Sequence, residues 1–220
     1  MKIKFTIHTI YTLLFLVALT SLNAQVYEYP YSISFEYSEG RGGWSTGGNT
    51  SWERGDPHPE TSMLDTVYAG FYCWITNIDG DYSNNEDGYI QSPTFDFSSL
   101  SIPKIEFSLW WYCQNEQDGA VLQYSIDDGL TWANVGAFGD ENWFNYDNIE
   151  AQPGGQYEGW TGINDTGWDG NSGSGWKVMK HSLEDLAGQT QVEFRLYFAS
   201  DGFDTSEGFA FDLFKVYDDA

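Results

Sequence analysis

Gly208-Phe-Ala-Phe-Asp-Leu-Phe-Lys-Val-Tyr217, near the end of a 220-residue chain, reads as a β-strand with a carboxylate set inside an apolar run. Alternation places Phe209, Phe211 and Leu213 on one face and Ala210, Asp212, Phe214 and Val216 on the other. Three of the four residues on the second face favour a dry environment, so Asp212 is expected at least partly out of water. A carboxylate held there costs on the order of several kcal/mol unless a cation or a set of donors meets it. With 9 Lys and Arg against 33 Asp and Glu, organic cations are scarce, which makes a metal ion the first candidate.

Working outward, the same period recurs. Ile105, Phe107, Leu109 and Trp111 alternate with Glu106, Ser108 and Trp110; Val192, Phe194, Leu196 and Phe198 alternate with Glu193, Arg195 and Tyr197. Further strands are expected at Tyr31–Tyr37, Thr50–Gly55, Gly70–Asn77, Gly88–Ser92, Ala120–Ile126, Thr131–Val135 and Trp176–His181. With 24 glycines, 18% aromatics and little helical periodicity, the chain reads as all-β. Strands with one apolar face bury it most economically as a two-sheet antiparallel β-sandwich. Ser182–Gly188 reads as one capped helical turn. Gly136–Gly175 is a long loop rich in Gly and Trp, carrying Trp143, Tyr157, Trp160 and Trp168. Its aromatic load argues for order, since disordered segments lack aromatics.

Residues 1–24 carry Lys2 and Lys4, then the apolar run Leu13–Leu19, then small residues ending at Ala24. That is the pattern of a cleaved signal peptide, leaving a single domain over 25–220 that is secreted or held at the cell surface and not inserted in a membrane. Cleavage removes two Lys and no acid, so the formal net charge moves from −24 to −26. Such a chain repels phosphate backbones and anionic lipid, which excludes nucleic acid as a partner and suits hard divalent cations. Cys73 and Cys113 both fall in expected strands; either they pair in an oxidising compartment or they pack as two buried thiols.

Phe35-Glu36 before Trp44, Trp52-Glu-Arg-Gly55, Asp65-Thr66 leading to Gly70-Phe-Tyr72, Tyr89-Ile-Gln-Ser-Pro93, an aromatic strand ending at Tyr112, Val121–Ser125, Trp132, Val192-Glu-Phe194 and Gly208–Asp212 follow in a recognisable order. Over residues 33–218 that order resembles the MAM domain, and it is similar to reelin subrepeats and to modules appended to secreted bacterial proteases and adhesins. The resemblance implies a jelly roll with a structural Ca2+ where the first and last strands approach, held by Glu36, Asp65 and Asp212. Within this pattern, Ser125-Ile-Asp127-Asp-Gly129-Leu-Thr131-Trp132 resembles the Asp-box hairpin of sialidases, with Asp127 and Gly129 suited to the turn and Trp132 packing against it.

Catalytic constellations are weak. Gly43-Trp-Ser-Thr-Gly47 spells G-x-S-x-G but lacks a following helix. Beyond the signal only His58 and His181 remain, and no H-E-x-x-H occurs. Asp79, Asp81, Ser83 and Glu86 begin like an EF-hand loop but have Asn84 where Gly is needed, so a solvated acidic turn or a second, weaker Ca2+ site is expected. Trp143, Trp160 and Trp168 read either as sugar-stacking rings or as a lid over the sandwich. The expectation is a non-catalytic, Ca2+-stabilised binding module for a glycan or a cell-surface protein. The alternatives are a glycan hydrolase or lyase, and an accessory domain of a larger secreted protease or adhesin.

Overall fold

The apolar faces read from the sequence close on one another as two antiparallel sheets. The computed structural model describes residues 25–57, 64, 66–163 and 175–220, so the signal peptide expected over 1–24 lies outside the described residues. Eleven strands form: β1 (Tyr31–Ile33), β2 (Ser45–Asn49), β3 (Trp52–Gly55), β4 (Cys73–Thr76), β5 (Asp87–Gln91), β6 (Pro103–Tyr112), β7 (Gly119–Ser125), β8 (Ala133–Asn134), β9 (Lys177–Ser182), β10 (Glu193–Ala199) and β11 (Gly208–Asp218). One sheet has the order β3-β4-β11-β6-β9, with β1 also beside β11; the other runs β2-β5-β10-β7-β8. Only the β3–β4 and β7–β8 connections stay within a sheet, so nearly every loop crosses between the layers.

The β11 strand settles the interior. Its first half pairs with β6 from Gly208↔Tyr112 to Asp212↔Ser108, and then the register shifts, resuming at Lys215↔Glu106. The residues between, Leu213 and Phe214, face a single residue of β6, and Leu213 adopts φ 49°. That is a β-bulge, and it breaks the expected alternation. Phe214 and Val216 turn into the core beside Phe209 and Phe211, leaving Ala210 and Asp212 on the opposite face. Asp212 is nonetheless fully buried, for a different reason from the one the alternation suggested. A second apolar cluster, built from Leu64, Val67, Cys73, Ile75, Trp110, Trp176 and Ala210, covers the outer face of this sheet.

The main core between the sheets is aromatic. Phe211 sits 5.3 Å from Phe107 and 5.3 Å from Trp44, ring centre to ring centre, and Phe194 packs 5.8 Å from Phe95. The long loop is ordered over its described part. Trp160 exchanges backbone hydrogen bonds with Ala120 at 2.8 and 3.0 Å, and Gly159 pairs with Tyr146, so residues 137–163 fold back over the end of β7. The turn expected at Ser182–Gly188 is a short 3-10 helix, Glu184–Leu186, closed by Gly188 at φ 80°.

β2 was not foreseen. Ser-Thr-Gly-Gly-Asn has the composition of a loop, and only pairing with β5 makes it a strand. Gly47 lies directly under the ring of Tyr89, where a Cβ would collide with it, so glycine is what lets this edge accept a flat aromatic neighbour.

Candidate functional site

The first and last strands do meet: Tyr31↔Val216 and Ile33↔Phe214 are in register. Just beyond β1, Phe35 takes φ 58°, which ends the strand and turns Glu36 toward the 69–72 segment. Glu36 Oε1 accepts the backbone N–H groups of Phe71 at 2.9 Å and Tyr72 at 3.0 Å. Asp212 Oδ2 accepts the N–H of Ala69 at 3.1 Å and Oδ1 that of Leu213 at 2.7 Å. Between them, Gly70 has φ 75°, and any Cβ there would strike the Glu36 carboxylate. One loop is thus gripped by two carboxylates. Burial pushes the Asp212 carboxyl up to about 7; its two N–H donors work against this, and the negative charges of Glu36 and Glu39 add to it.

Among the described residues no Lys, Arg or His forms an ion pair with Glu36 or Asp212. Arg54 lies close by, but its Nε donates to the Phe35 carbonyl at 2.6 Å and its guanidinium stacks 4.7 Å from the Tyr72 ring. The donor set is all oxygen, which suits Ca2+ rather than a softer metal. Asp65, the third expected ligand, lies outside the described residues. Among the described residues, no three His, Cys, Asp or Glu groups converge in a ligating arrangement.

Several other expected sites take different roles. Trp143 and Trp160 are not sugar-stacking surfaces: they are 3% and 0% exposed, their rings meet edge-on at 68°, and their indole N–H groups donate to the Val135 and Trp143 carbonyls. Phe144 and Ile149 of the same loop are buried with them, and the rings become part of the core. Trp168 lies outside the described residues. Cys73 and Cys113 are free and buried, one under the outer cluster and one in the main core, and burial raises both thiols. Glu86 is no turn ligand: it is buried and accepts the N–H groups of Ser83 at 2.7 Å and Ser51 at 2.9 Å. Ser45 opens the edge strand β2 rather than a strand-to-helix elbow. His181 places Nδ1 against the carbonyl of its neighbour Ser182 at 2.7 Å and Nε2 against Asp140 at 3.0 Å, so Nε2 ties β9 to the long loop.

The Ser125–Trp132 hairpin closes with a dense set of bonds. Asp127 Oδ1 accepts from Ser125 Oγ at 2.8 Å and Thr131 N–H at 2.8 Å; Oδ2 accepts from Thr131 Oγ1 at 2.6 Å. Ser125 Oγ accepts the N–H of Gly129 at 3.0 Å, and Trp132 Nε1 donates to the Gly129 carbonyl at 3.1 Å. The consequence lies on the sheet, because the hairpin lays the Trp132 ring 4.2 Å from the guanidinium carbon of Arg195.

Arg195 is the centre of a surface that periodicity alone did not single out. On β10 the outward residues are Glu193, Arg195 and Tyr197; on β5 they are Asp87, Tyr89 and Gln91. Register brings Tyr197 opposite Tyr89 and Arg195 opposite Gln91 on one side and Gln123 on the other. The two tyrosine rings lie 5.4 Å apart, tilted by 36°, and Arg195 sits 4.6 Å from Tyr197 and 5.3 Å from Tyr89. Gln123 Oε1 accepts from Arg195 Nε at 2.9 Å and Nη2 at 2.7 Å, and its Nε2 donates to Asn134 Oδ1 at 3.2 Å. Asn134 in turn donates to Gln156 Oε1 at 2.8 Å. Burial lowers the Arg195 guanidinium pKa; burial and a bond to Asp87 push Tyr197 up to about 12. The signal was present as alternating polar and aromatic residues, but their alignment depends on pairing strands about a hundred residues apart.

No protein-family model and no curated protein matches the chain. Among solved structures it is similar to the K1 cleaved adhesin domain of Lys-gingipain from Porphyromonas gingivalis W83, at 14% identity, covering 88% of this chain and 100% of that one, with a TM-score of 0.47. It is also similar to the CBM22-1 xylan-binding domain of Xyn10C from Paenibacillus barcinonensis, at 10% identity, 85% and 92% coverage and a TM-score of 0.46. A third similarity is to the glycoside hydrolase domain of Endo-D from Streptococcus pneumoniae R6, at 12% identity, 80% and 21% coverage and a TM-score of 0.45.

Proposed function

We propose that this chain is a secreted, non-catalytic module that binds a glycan on the outer face of its β2-β5-β10-β7-β8 sheet and is stabilised by Ca2+ at Glu36, Asp65 and Asp212. The observation that carries the binding reading is the convergence of Tyr89, Tyr197 and Trp132 around a fixed Arg195–Gln123–Asn134 network. Flat rings stack on the C–H faces of sugars while neighbouring amides and carboxylates bond their hydroxyls. Adjacent strands stand about 4.8 Å apart, so the face from β2 to β7 spans about 15 Å, room for a few sugar rings.

The same face argues against hydrolysis. Its strands offer two outward carboxylates, Asp87 and Glu193, and Asp87 pairs in register with Ala199. Six residues of strand therefore separate them, about 20 Å, against the roughly 5–9.5 Å between a glycosidase's acid pair. For Ca2+ the support is two carboxylates gripping one loop without an ion-pair partner among the described residues. A glycan array probed with the mature protein, with and without Ca2+, tests the binding reading. Release of reducing sugar from a polysaccharide panel would replace it with an enzymatic one. A melting temperature unmoved by millimolar-range chelator would remove the metal.

A further inference from the structure

Resting on the glycan-binding reading, we infer that this face recognises a sugar carrying a carboxylate, and that the end-on edge of the Arg195 guanidinium is the group that receives it. A guanidinium presents two faces and two forked edges. Here the faces lie against Trp132, Tyr197 and Tyr89, and the Nε–Nη2 fork is closed by Gln123 Oε1. The Nη1–Nη2 fork is what remains. Among the described residues it bonds to nothing, and Nη1 is not one of the enclosed polar atoms, whereas Arg54 Nη2 is.

Arg195 has no carboxylate partner among the described residues, and neither do Arg41, Arg54 and Lys215. Lys104 and Lys180 both found acidic partners, Asp219 and Glu106, on exposed surface. Arg195 is more enclosed than either and is the single basic residue in the five strands of its sheet, yet it pairs with a neutral amide. An amide oxygen fixes the fork's direction without neutralising its charge. A planar carboxylate matches the open fork with two parallel N–H···O bonds, while the sugar ring behind it lies along the aromatic rings. Asp87 and Glu193 on the same face disfavour a densely charged polyanion. The ligand is therefore a glycan with isolated uronic acids rather than a sulfated polymer.

The test is calorimetric titration with a glucuronate-bearing xylo-oligosaccharide and with trigalacturonate, each beside its carboxyl-reduced form, and with a sulfated galactan oligosaccharide, all in one Ca2+ buffer. The acid forms should bind at least about tenfold more tightly than the reduced forms, the scale of charge-assisted hydrogen bonds. In R195Q the acid forms should lose at least about tenfold more affinity than the reduced forms, bringing that ratio to about one. R195K keeps the charge without the fork, and its ratio should lie between the two. Equal affinity for acid and reduced forms, an undiminished ratio in R195Q or R195K, or a preference for the sulfated galactan would overturn the inference and leave glycan binding standing. Failure of every saccharide, with the array also blank, would overturn the binding reading itself.

Discussion

Replacing Asp212 by Asn in chelator isolates the energetics of the acidic seat. Its carboxyl is fully buried, and burial raises its pKa from 3.8 to about 7, while an unfolded Asp titrates near 3.9. Between those values the native chain holds a proton that the unfolded chain has lost. Stability from this group is therefore greatest below about pH 4 and declines as pH rises through about 7. A shift of about 3 units at about 1.36 kcal/mol each gives a decline of about 4 kcal/mol. Asn is neutral throughout, but its NH2 must face one of the two N–H donors, from Ala69 or Leu213, a pH-independent loss of about 1–3 kcal/mol. Urea denaturation of both proteins from about pH 4 to about pH 8 should show the wild-type advantage shrinking by about 4 kcal/mol as pH rises. In saturating Ca2+ the carboxylate is the form bound, so the wild type should regain about 2.7 kcal/mol at a hundredfold excess over Kd. The Asn variant should regain almost none. Parallel pH profiles in chelator would refute the burial argument, and identical curves with and without Ca2+ above pH 7 would refute the metal.

Gly70→Ala combines a positive φ with a collision at the Glu36 carboxylate, so it should cost more than about 2 kcal/mol and weaken the Ca2+ response in calorimetric melts. Trp143→Ala and Trp160→Ala should each lower stability by about 3–5 kcal/mol in denaturant titration while leaving saccharide affinity of the folded fraction unchanged. Both thiols should resist a thiol reagent in the native protein and react fully after denaturation without reductant; a denatured chain that stays unreactive would mean a disulfide.

Period and composition were enough to recover the sandwich. Each expected strand is present, because apolar alternation on β6 and β10 leaves no other way to dry both faces. The turn chemistry of the Ser125–Trp132 hairpin was equally legible, since Asp127 and Gly129 act on their immediate neighbours. What the residues could not declare were features made by partners far along the chain. The bulge at Leu213 re-sorts the faces of β11, and only the pairing with β6 creates it. Ser45–Asn49 becomes a strand only beside β5. Trp143 and Trp160 read either as sugar-stacking rings or as a lid, and the fold of their loop over β7 makes them the lid. Tyr89, Arg195 and Tyr197 are unremarkable in their own segments; tertiary register brings them together, and the Ser125–Trp132 hairpin adds the Trp132 ring. Local sequence dictates which side of a strand is apolar; which strands lie side by side is a balance of burial over the whole core, and the proposed binding surface is made by that balance.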